Sequence, residues 1–214
     1  MFVGHLAVAL AAKRTTPAVP LGTAVAAAFG LDLLWPIFLL LGFESVRIHP
    51  GDTAFTHLSF DSYPWSHSLA AVVGWSILAG CAMRVAHRSL RVCAIVGGLV
   101  LSHWILDFLT HRPDLPLWPG GPVVGLGLWY SIPGTLIVEG GLLAACLWIY
   151  VRGSAPRDRT GRWALVALVA LTLLIWSSQP WSPPPPSSEA VAWGALILWL
   201  LPPWARWIDQ HRRG

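Results

Sequence analysis

The chain has 214 residues, of which 55% are hydrophobic and only 11% are charged. Soluble domains typically carry about 25% charged residues, so this composition excludes an ordinary soluble domain and indicates a protein that lies in a lipid bilayer. The net charge of +4 does not indicate nucleic-acid binding, because most basic residues lie in short connections between apolar segments. Three cysteines lie within apolar segments without CxxC spacing, so no disulfide is expected.

The first apolar stretch is too short to cross a bilayer. It runs from Phe2 to Ala12, about half of the 17–25 residues that a transmembrane helix needs. We predict a half-helix here, which is an incomplete span, a re-entrant piece or an interfacial helix. The stretch is not typical of a signal peptide, because no basic region precedes it and Lys13 and Arg14 follow it.

Six longer apolar segments follow, each about as long as a transmembrane helix. They cover residues 21–42, 66–83, 92–110, 129–151, 162–179 and 189–208. The predicted fold is an all-α integral membrane protein, a bundle of six transmembrane helices plus the short N-terminal half-helix. Residues 1–214 are predicted to form a single transmembrane domain, with the site on residues 1–130 and a peripheral helical hairpin at 160–214.

Basic residues divide the connections into two groups. Four regions hold nearly all of them: Lys13 and Arg14; Arg84, Arg88 and Arg91; Arg152, Arg157, Arg159 and Arg162; and Arg206, Arg212 and Arg213. The other connections, 43–65, 111–128 and 180–188, contain only Arg47 and Arg112. The positive-inside rule therefore predicts a multi-pass protein with both ends cytoplasmic and the three poorly basic loops outside.

Four ionisable side chains lie inside the predicted spans, namely Asp32, His103, Asp107 and Glu139. A charged group at the centre of a transmembrane helix costs roughly 2.5–3.5 kcal/mol, so such residues are retained mainly at sites and pathways. His103 and Asp107 are four residues apart and therefore share one helix face. With His5 and His67 they offer the nitrogen and oxygen ligands that bind a divalent metal.

The predicted metal ligands are His5, Asp32, His67, His103 and Asp107. Counted along straight helices, their depths are spread over roughly 15 Å, and a site in the outer half of the bilayer fits them best. The expected ion is zinc, with manganese as the alternative. Glu139 or Asp61 is the candidate catalytic residue, acting as a base that orients water.

The order of these motifs resembles a known family. Gly4-His5-x-Ala7, an acid at the centre of the first long span, the sequence His67-Ser68, and Ser102-His103-x-x-x-Asp107 occur in this order in the membrane-bound, metal-dependent hydrolases of bacterial inner membranes. The resemblance covers roughly residues 1–130. It implies a location in the bacterial inner membrane and a metal-dependent hydrolysis, with membrane lipids as partners and a lipid as the substrate.

Three classes of function fit the sequence. The first is a hydrolase that acts on a lipid-borne or membrane-proximal ester or phosphoester. The second is a transporter or an ion or proton pathway that uses the same residues. The third is a non-catalytic membrane scaffold. Clustering of the ligands on the first three long spans and the long outer loops favour the hydrolase, whereas the apolar inner halves of the spans disfavour a pathway.

Overall fold

The computed structural model describes residues 1–87 and 89–213. Arg88, one of the predicted cytoplasmic basic residues, lies outside this part of the chain. Helices account for 69% of the structure, which confirms the all-α class. The α-helices are α1 (Val3–Thr15), α2 (Leu21–Ala28), α3 (Gly30–Leu40), α4 (Pro64–His67), α5 (Leu69–His87), α6 (Leu90–Thr110), α7 (Ile132–Arg152), α8 (Arg159–Ser178), α9 (Ser188–Ala195) and α10 (Leu201–Gln210).

Within the described residues, five stretches are long and apolar enough to cross a membrane. They are Leu69–Ala86, Leu90–Thr110, Ile132–Arg152, Arg159–Trp181 and Ser188–Gln210. The last stretch joins α9 to α10 through the 3₁₀ helix Leu196–Leu200. Two of these stretches begin at N-terminal caps. The side chains of Ser131 and Asp158 accept hydrogen bonds from the amides of Gly134 and Gly161, in the first turns of α7 and α8.

The first predicted span is broken. α2 and α3 together are apolar enough for one span, but their axes differ by 53° at Phe29. On the α2 side of the break, the helix packs closely on α10. Gly22 lets α2 approach α10, because a β-carbon there would overlap the backbone oxygen of Pro202. The sequence pattern predicted one continuous segment because both halves are equally apolar.

The short N-terminal helix lies inside the bundle. α1 packs most extensively on α7 and also contacts α2 and α6. Most residues of its first two turns, including Val3, His5 and Leu6, are buried. This burial favours the incomplete-span prediction for α1 over the interfacial-helix alternative.

The two groups of connections gather at opposite ends of the bundle. At the basic end, Lys13 forms an ion pair with Asp209 at 3.0 Å, and strands β5 (Ala155–Pro156) and β6 (Arg212–Arg213) pair. At the other end, the 43–65 loop contacts the 180–188 loop through His57 Nε2 and the Ser182 carbonyl, 2.8 Å apart, and the 111–128 loop through Asp52 and Arg112 Nη1, 2.9 Å apart.

The two longer loops at this second end are ordered as short hairpins, which the hydropathy pattern did not predict. One pairs β1 (Ser45–Ile48) with β2 (Leu58–Ser62), and the other pairs β3 (Leu115–Pro116) with β4 (Val123–Val124). The end that carries these hairpins is called the loop end below.

The predicted hairpin at 160–214 contains α8 and the final span, and the two do contact each other. The final span nevertheless packs mainly on α2 and α3, through α10 and α9 respectively. Ala192, Ala205 and Ile208 are buried there. This segment therefore forms one wall of the region around Asp32.

Candidate metal centre

All five predicted ligand residues converge on one point in the bundle. α1 supplies His5, α3 supplies Asp32, the short α4 supplies His67, and α6 supplies both His103 and Asp107. Four of them are buried, whereas the Asp32 side chain remains 23% exposed. These five residues are called the His/Asp cluster.

Asp107 lies at the centre of the cluster. Its two carboxylate oxygens lie 3.2 Å from His5 Nε2, 3.1 Å from His103 Nε2 and 3.7 Å from His67 Nε2. Asp32 completes the group, with carboxylate oxygens 3.6 Å from His67 Nε2 and 3.7 Å from His103 Nε2. Two ligand sets that could each hold an ion share His103, namely His5–His103–Asp107 and Asp32–His67–His103.

These separations suit a single bound ion. Zinc binds imidazole nitrogen and carboxylate oxygen at about 2.0–2.2 Å, so neighbouring ligand atoms of a tetrahedral site lie about 3.4 Å apart. The six histidine–carboxylate separations in the cluster run from 3.1 Å to 4.0 Å, the longest joining His5 Nε2 to Asp32. Small side-chain movements would therefore bring the donors to coordination distance.

The bend between α2 and α3 fixes the orientation of His103. The Ala28 carbonyl at this bend lies 2.7 Å from His103 Nδ1. Because a carbonyl only accepts, Nδ1 carries a proton, and in the neutral ring the Nε2 lone pair then faces the carboxylates. Such a backbone contact is the usual support of a metal-binding histidine.

A hydrogen-bond relay fixes the orientation of His67. The Ser66 hydroxyl donates to Glu44 at 2.7 Å and lies 2.6 Å from His67 Nδ1. Since the single hydroxyl proton goes to the carboxylate, His67 Nδ1 is the donor and its Nε2 lone pair also faces the cluster. Glu44 is buried and further accepts from the amides of Trp65 and Ser66, which holds the start of α4 in place.

The donor set fits a divalent cation. His5 Nδ1, His5 Nε2 and His103 Nε2 are buried without a hydrogen-bond partner among the described residues. Buried polar atoms are normally satisfied, so these nitrogens lack something that a ligand would supply. An imidazole lone pair directed at a carboxylate is repelled by it unless a proton or a metal cation lies between the two groups. The Met1 amino group contacts Asp107, but two carboxylates beside one ammonium group still leave net negative charge.

The two candidate catalytic residues lie in different places. Glu139 is buried beside the cluster, where its carboxylate accepts from the Phe2 amide at 3.1 Å and from Trp129 Nε1 at 3.3 Å. Asp61 is not brought to the cluster. It lies on β2 at the loop end and forms a cross-strand ion pair with Arg47, whose Nη2 is 2.8 Å from Asp61 Oδ1. Asp61 faces away from the cleft, because side chains alternate along a strand and the adjacent Phe60 lines the cleft.

An apolar cleft of about 270 Å³ opens onto the cluster. Asp32, His67 and Asp107 lie at its base. Its walls come from α3, the loop end, α8 and the final span, and include Trp35, Phe60, Trp129, Trp176, Ile197 and Leu198. The cleft therefore gives the most exposed cluster residue, Asp32, access to the surroundings of the bundle.

A second set of polar residues lies nearby at the loop end. Arg112 donates to Asp52, Ser59 and Asp114 at 2.9–3.0 Å, and the Tyr63 hydroxyl donates to Asp114 at 2.9 Å. Burial, together with the adjacent carboxylate of Asp114, raises the pKa of Tyr63 well above its usual value. These residues, with His111 beside Asp114, are called the loop network.

Sequence reasoning missed Glu44, Ser66 and Ala28 as supports of the cluster. Ser66 adjoins His67 in sequence, which was a usable signal. Glu44 lies more than 20 residues away in a loop, and the Ala28 carbonyl has no side-chain signature.

Comparisons of the chain with protein-family models, with curated proteins and with solved structures found no match.

Proposed function

We propose that the chain is a metal-dependent hydrolase that acts on an ester or phosphoester of a membrane lipid. The observation that carries this proposal is the convergence of three oriented or unpartnered histidines and two aspartates at the base of an apolar cleft. The resemblance of the motif order to the membrane-bound, metal-dependent hydrolases points to the same class of reaction.

The metal would be held by a subset of the His/Asp cluster, with zinc as the proposed ion and manganese as the alternative. When bound, such an ion polarises a carbonyl or phosphoryl oxygen and lowers the pKa of water from about 15.7 to about 7. His103 and His67 present nitrogen lone pairs that the Ala28 carbonyl and the Ser66–Glu44 relay hold in position.

Two carboxylates have distinct tasks in this proposal. Asp107 is nearly inaccessible and contacts all three histidines, so it is suited to hold the ion. Asp32 borders the cleft and is suited to orient water or the reacting group. Glu139 accepts from Phe2 and Trp129 and thereby holds the first turn of α1, which carries His5.

The cleft supports a lipid-borne substrate. Its walls are mostly aromatic and aliphatic side chains, while the polar groups are confined to the base. Binding sites of this kind bury the apolar part of a ligand and orient it through a few polar groups. An acyl chain would lie against Trp35, Trp176 and Ile197, with the ester or phosphoester group at the cluster.

We also propose the location. The basic residues Lys13, Arg91 and Arg157 lie at one end of the bundle, which the positive-inside rule assigns to the cytoplasm. The chain would then cross the bacterial inner membrane several times, with its C-terminal end cytoplasmic and the loop end outside, whereas Met1 lies inside the bundle at the cluster and not at the cytoplasmic surface. A cysteine at Ser187, in the exposed turn before α9, would react with a membrane-impermeant maleimide in intact cells, and one at Thr15 would not.

The test of the reaction compares Asp107→Asn with Asp61→Asn. Both variants remove one negative charge, but only the first changes the cluster. After loading with Zn²⁺, purified wild-type protein and the Asp61→Asn variant should each retain about one ion per chain. Both should hydrolyse para-nitrophenyl octanoate or a phosphatidylglycerol in detergent micelles, with preference for longer acyl chains. Asp107→Asn should lose the ion and the turnover while remaining folded.

Equal, near-zero metal content in wild type and Asp107→Asn would overturn the metal site. Retained metal without turnover on either ester class would overturn the hydrolase proposal and leave a metal centre of another kind. Turnover without preference for longer acyl chains would overturn the role of the cleft.

A further inference from the structure

A cavity of about 240 Å³ lies at the basic end of the bundle, far along α1 and α7 from the His/Asp cluster. It is bordered by the ends of α1, α7 and α10, by the 153–157 turn and by β6. The residues that matter most for its chemistry are Lys13, Arg14, Tyr150, Arg157, Arg212 and Arg213. Five of these six are cations, and Asp209 is the carboxylate among the lining residues.

One of these cations is buried without a counter-ion among residues 1–87 and 89–213. Arg212 is 6% exposed. Its guanidinium donates to the Ser154 hydroxyl and carbonyl at 2.9–3.1 Å and to the Gly161 carbonyl at 2.9 Å, all of them neutral acceptors. No carboxylate among the described residues lies within 4.0 Å of it. A buried charge is costly unless it is paired, so the position favours an anion.

A buried donor also lines the cavity. Tyr150 is 2% exposed, and its hydroxyl has no hydrogen-bond partner among the described residues. Its ring lies 5.4 Å from the Arg212 guanidinium, so the two groups border the same space. A buried hydroxyl without a partner is uncommon in folded proteins and calls for a ligand acceptor.

The remaining cations differ in how they are used. Lys13 is occupied by Asp209 and by the carbonyls of Pro17 and Val19. Arg14 and Arg157 are exposed and have no ion pair among the described residues. Arg14 lies directly over Gly153, where a β-carbon would overlap its side chain. The absence of a side chain at position 153 therefore allows Arg14 to extend along the cavity.

We propose that this cavity binds a phosphate group, presented either by the headgroup of an anionic lipid or by a soluble phosphate. Guanidinium groups match phosphate oxygens with paired hydrogen bonds, which favours phosphate over a simple halide. Arg212 supplies the buried charge, Tyr150 a neutral donor, and Arg14 and Arg157 close the site from the exposed side. The site is independent of the metal centre and of the proposed hydrolysis.

The experiment measures binding by isothermal titration calorimetry of the full chain in a neutral detergent at low salt. The probes are inorganic phosphate, dioctanoyl phosphatidate and, as the zwitterionic control, dioctanoyl phosphatidylcholine. The first two probes separate the sources: a phosphatidate affinity at least about tenfold above that of inorganic phosphate identifies a lipid headgroup, and equal affinities identify a soluble phosphate.

Matched variants locate the binding. Arg14→Gln combined with Arg157→Gln should weaken phosphate binding by about tenfold or more. Arg159→Gln combined with Arg162→Gln removes the same charge outside the cavity lining and should change affinity by less than about twofold. Tyr150→Phe keeps the ring and removes only the hydroxyl, so it should weaken binding by about threefold to tenfold.

Two outcomes overturn the proposal. The first is the absence of saturable binding of either anionic probe to wild-type protein. The second is equal weakening by the two double variants together with unchanged affinity in Tyr150→Phe, since this pattern describes a general attraction of anions to a basic surface.

Discussion

The loop network and the His/Asp cluster lie close together and are both rich in acids and histidines, yet their polar groups are arranged differently. In the loop network, Arg112 and Tyr63 donate aligned hydrogen bonds to fixed carboxylates. In the cluster, His5 and His103 have buried nitrogens without hydrogen-bond partners in the described part of the chain, although carboxylates lie within 4 Å. Groups that stabilise the fold are paired with each other, whereas groups arranged for a ligand remain unpaired until it binds.

The largest expected effect comes from His103→Gln. This change removes the nitrogen shared by both candidate ligand sets. We expect metal affinity to fall by at least about a hundredfold, whereas the metal-free protein should lose only about 1 kcal/mol of stability, because the hydrogen bond given up is the one from His103 Nδ1 to the Ala28 carbonyl. Metal titration and thermal unfolding with a chelator measure the two quantities. A large loss of stability in the metal-free variant would break the comparison.

Arg112→Gln should show the opposite behaviour. It leaves Asp52 and Asp114 without their cation, and we expect the free energy of unfolding to fall by about 1–2 kcal/mol after allowance for the partial exposure of Arg112. Metal affinity should stay within about twofold of wild type, since Arg112 does not contact the cluster. Chemical unfolding in micelles tests the first expectation. Loss of metal without loss of stability would contradict it.

Glu44→Gln sharpens the comparison, because Glu44 lies outside the cluster but supports the orientation of His67 through Ser66. An amide retains one acceptor oxygen but cannot accept from the Ser66 hydroxyl and two amides as a carboxylate does. The His67 ring would lose its fixed orientation, and metal affinity should fall by about tenfold. Ser66→Ala is the matched variant and should have a similar effect, because it interrupts the same relay. Unchanged affinity in both would remove Glu44 and Ser66 from the site.

The smallest effect concerns pH at the basic end. A hydrogen bond from His211 and one from the Gly161 amide lower the pKa of Asp158 below its usual value near 3.8. A carboxyl group with a lowered pKa stabilises the folded state above its unfolded pKa and loses this contribution as pH falls through the folded value. The stability difference between wild type and Asp158→Asn should therefore be constant above about pH 5 and shrink below about pH 4. A difference that grows at low pH would contradict the assignment.

Much of the helical architecture was predictable because bilayer thickness constrains the length of apolar segments. The five long stretches lie within a few residues of their predicted positions. The bend at Phe29 was not predictable from hydropathy, since α2 and α3 are both apolar. Gly30 gives no sign of it either, because a β-carbon there would meet no other atom within 4 Å. The short hairpins of the loop end were missed for a related reason, because polar loops carry little hydrophobic periodicity.

The five residues of the His/Asp cluster were predictable as a set because ionisable groups are costly in apolar helices. Their depths, counted along straight helices, were spread over roughly 15 Å, whereas the structure places them in mutual contact. The bend of the first span and the position of the separate helix α4 account for this difference, since both shift side chains relative to a straight axis. Asp61 and Glu44 show what the sequence could not predict. Both are loop-end acids, and only tertiary pairing reveals that Glu44 supports the cluster and Asp61 does not.

The position of α1 has a consequence for biogenesis. This helix is too short to be held by the bilayer alone, and its main packing partner is α7, which begins more than 110 residues later. At a synthesis rate of roughly 5–20 residues per second, α1 waits on the order of 10 s before that partner emerges from the ribosome. His5 therefore joins the other four cluster residues late, after they have already been inserted. Completion of the cluster would therefore report that α7 has packed on α1, and an ion captured at that stage would secure α1 in the bundle.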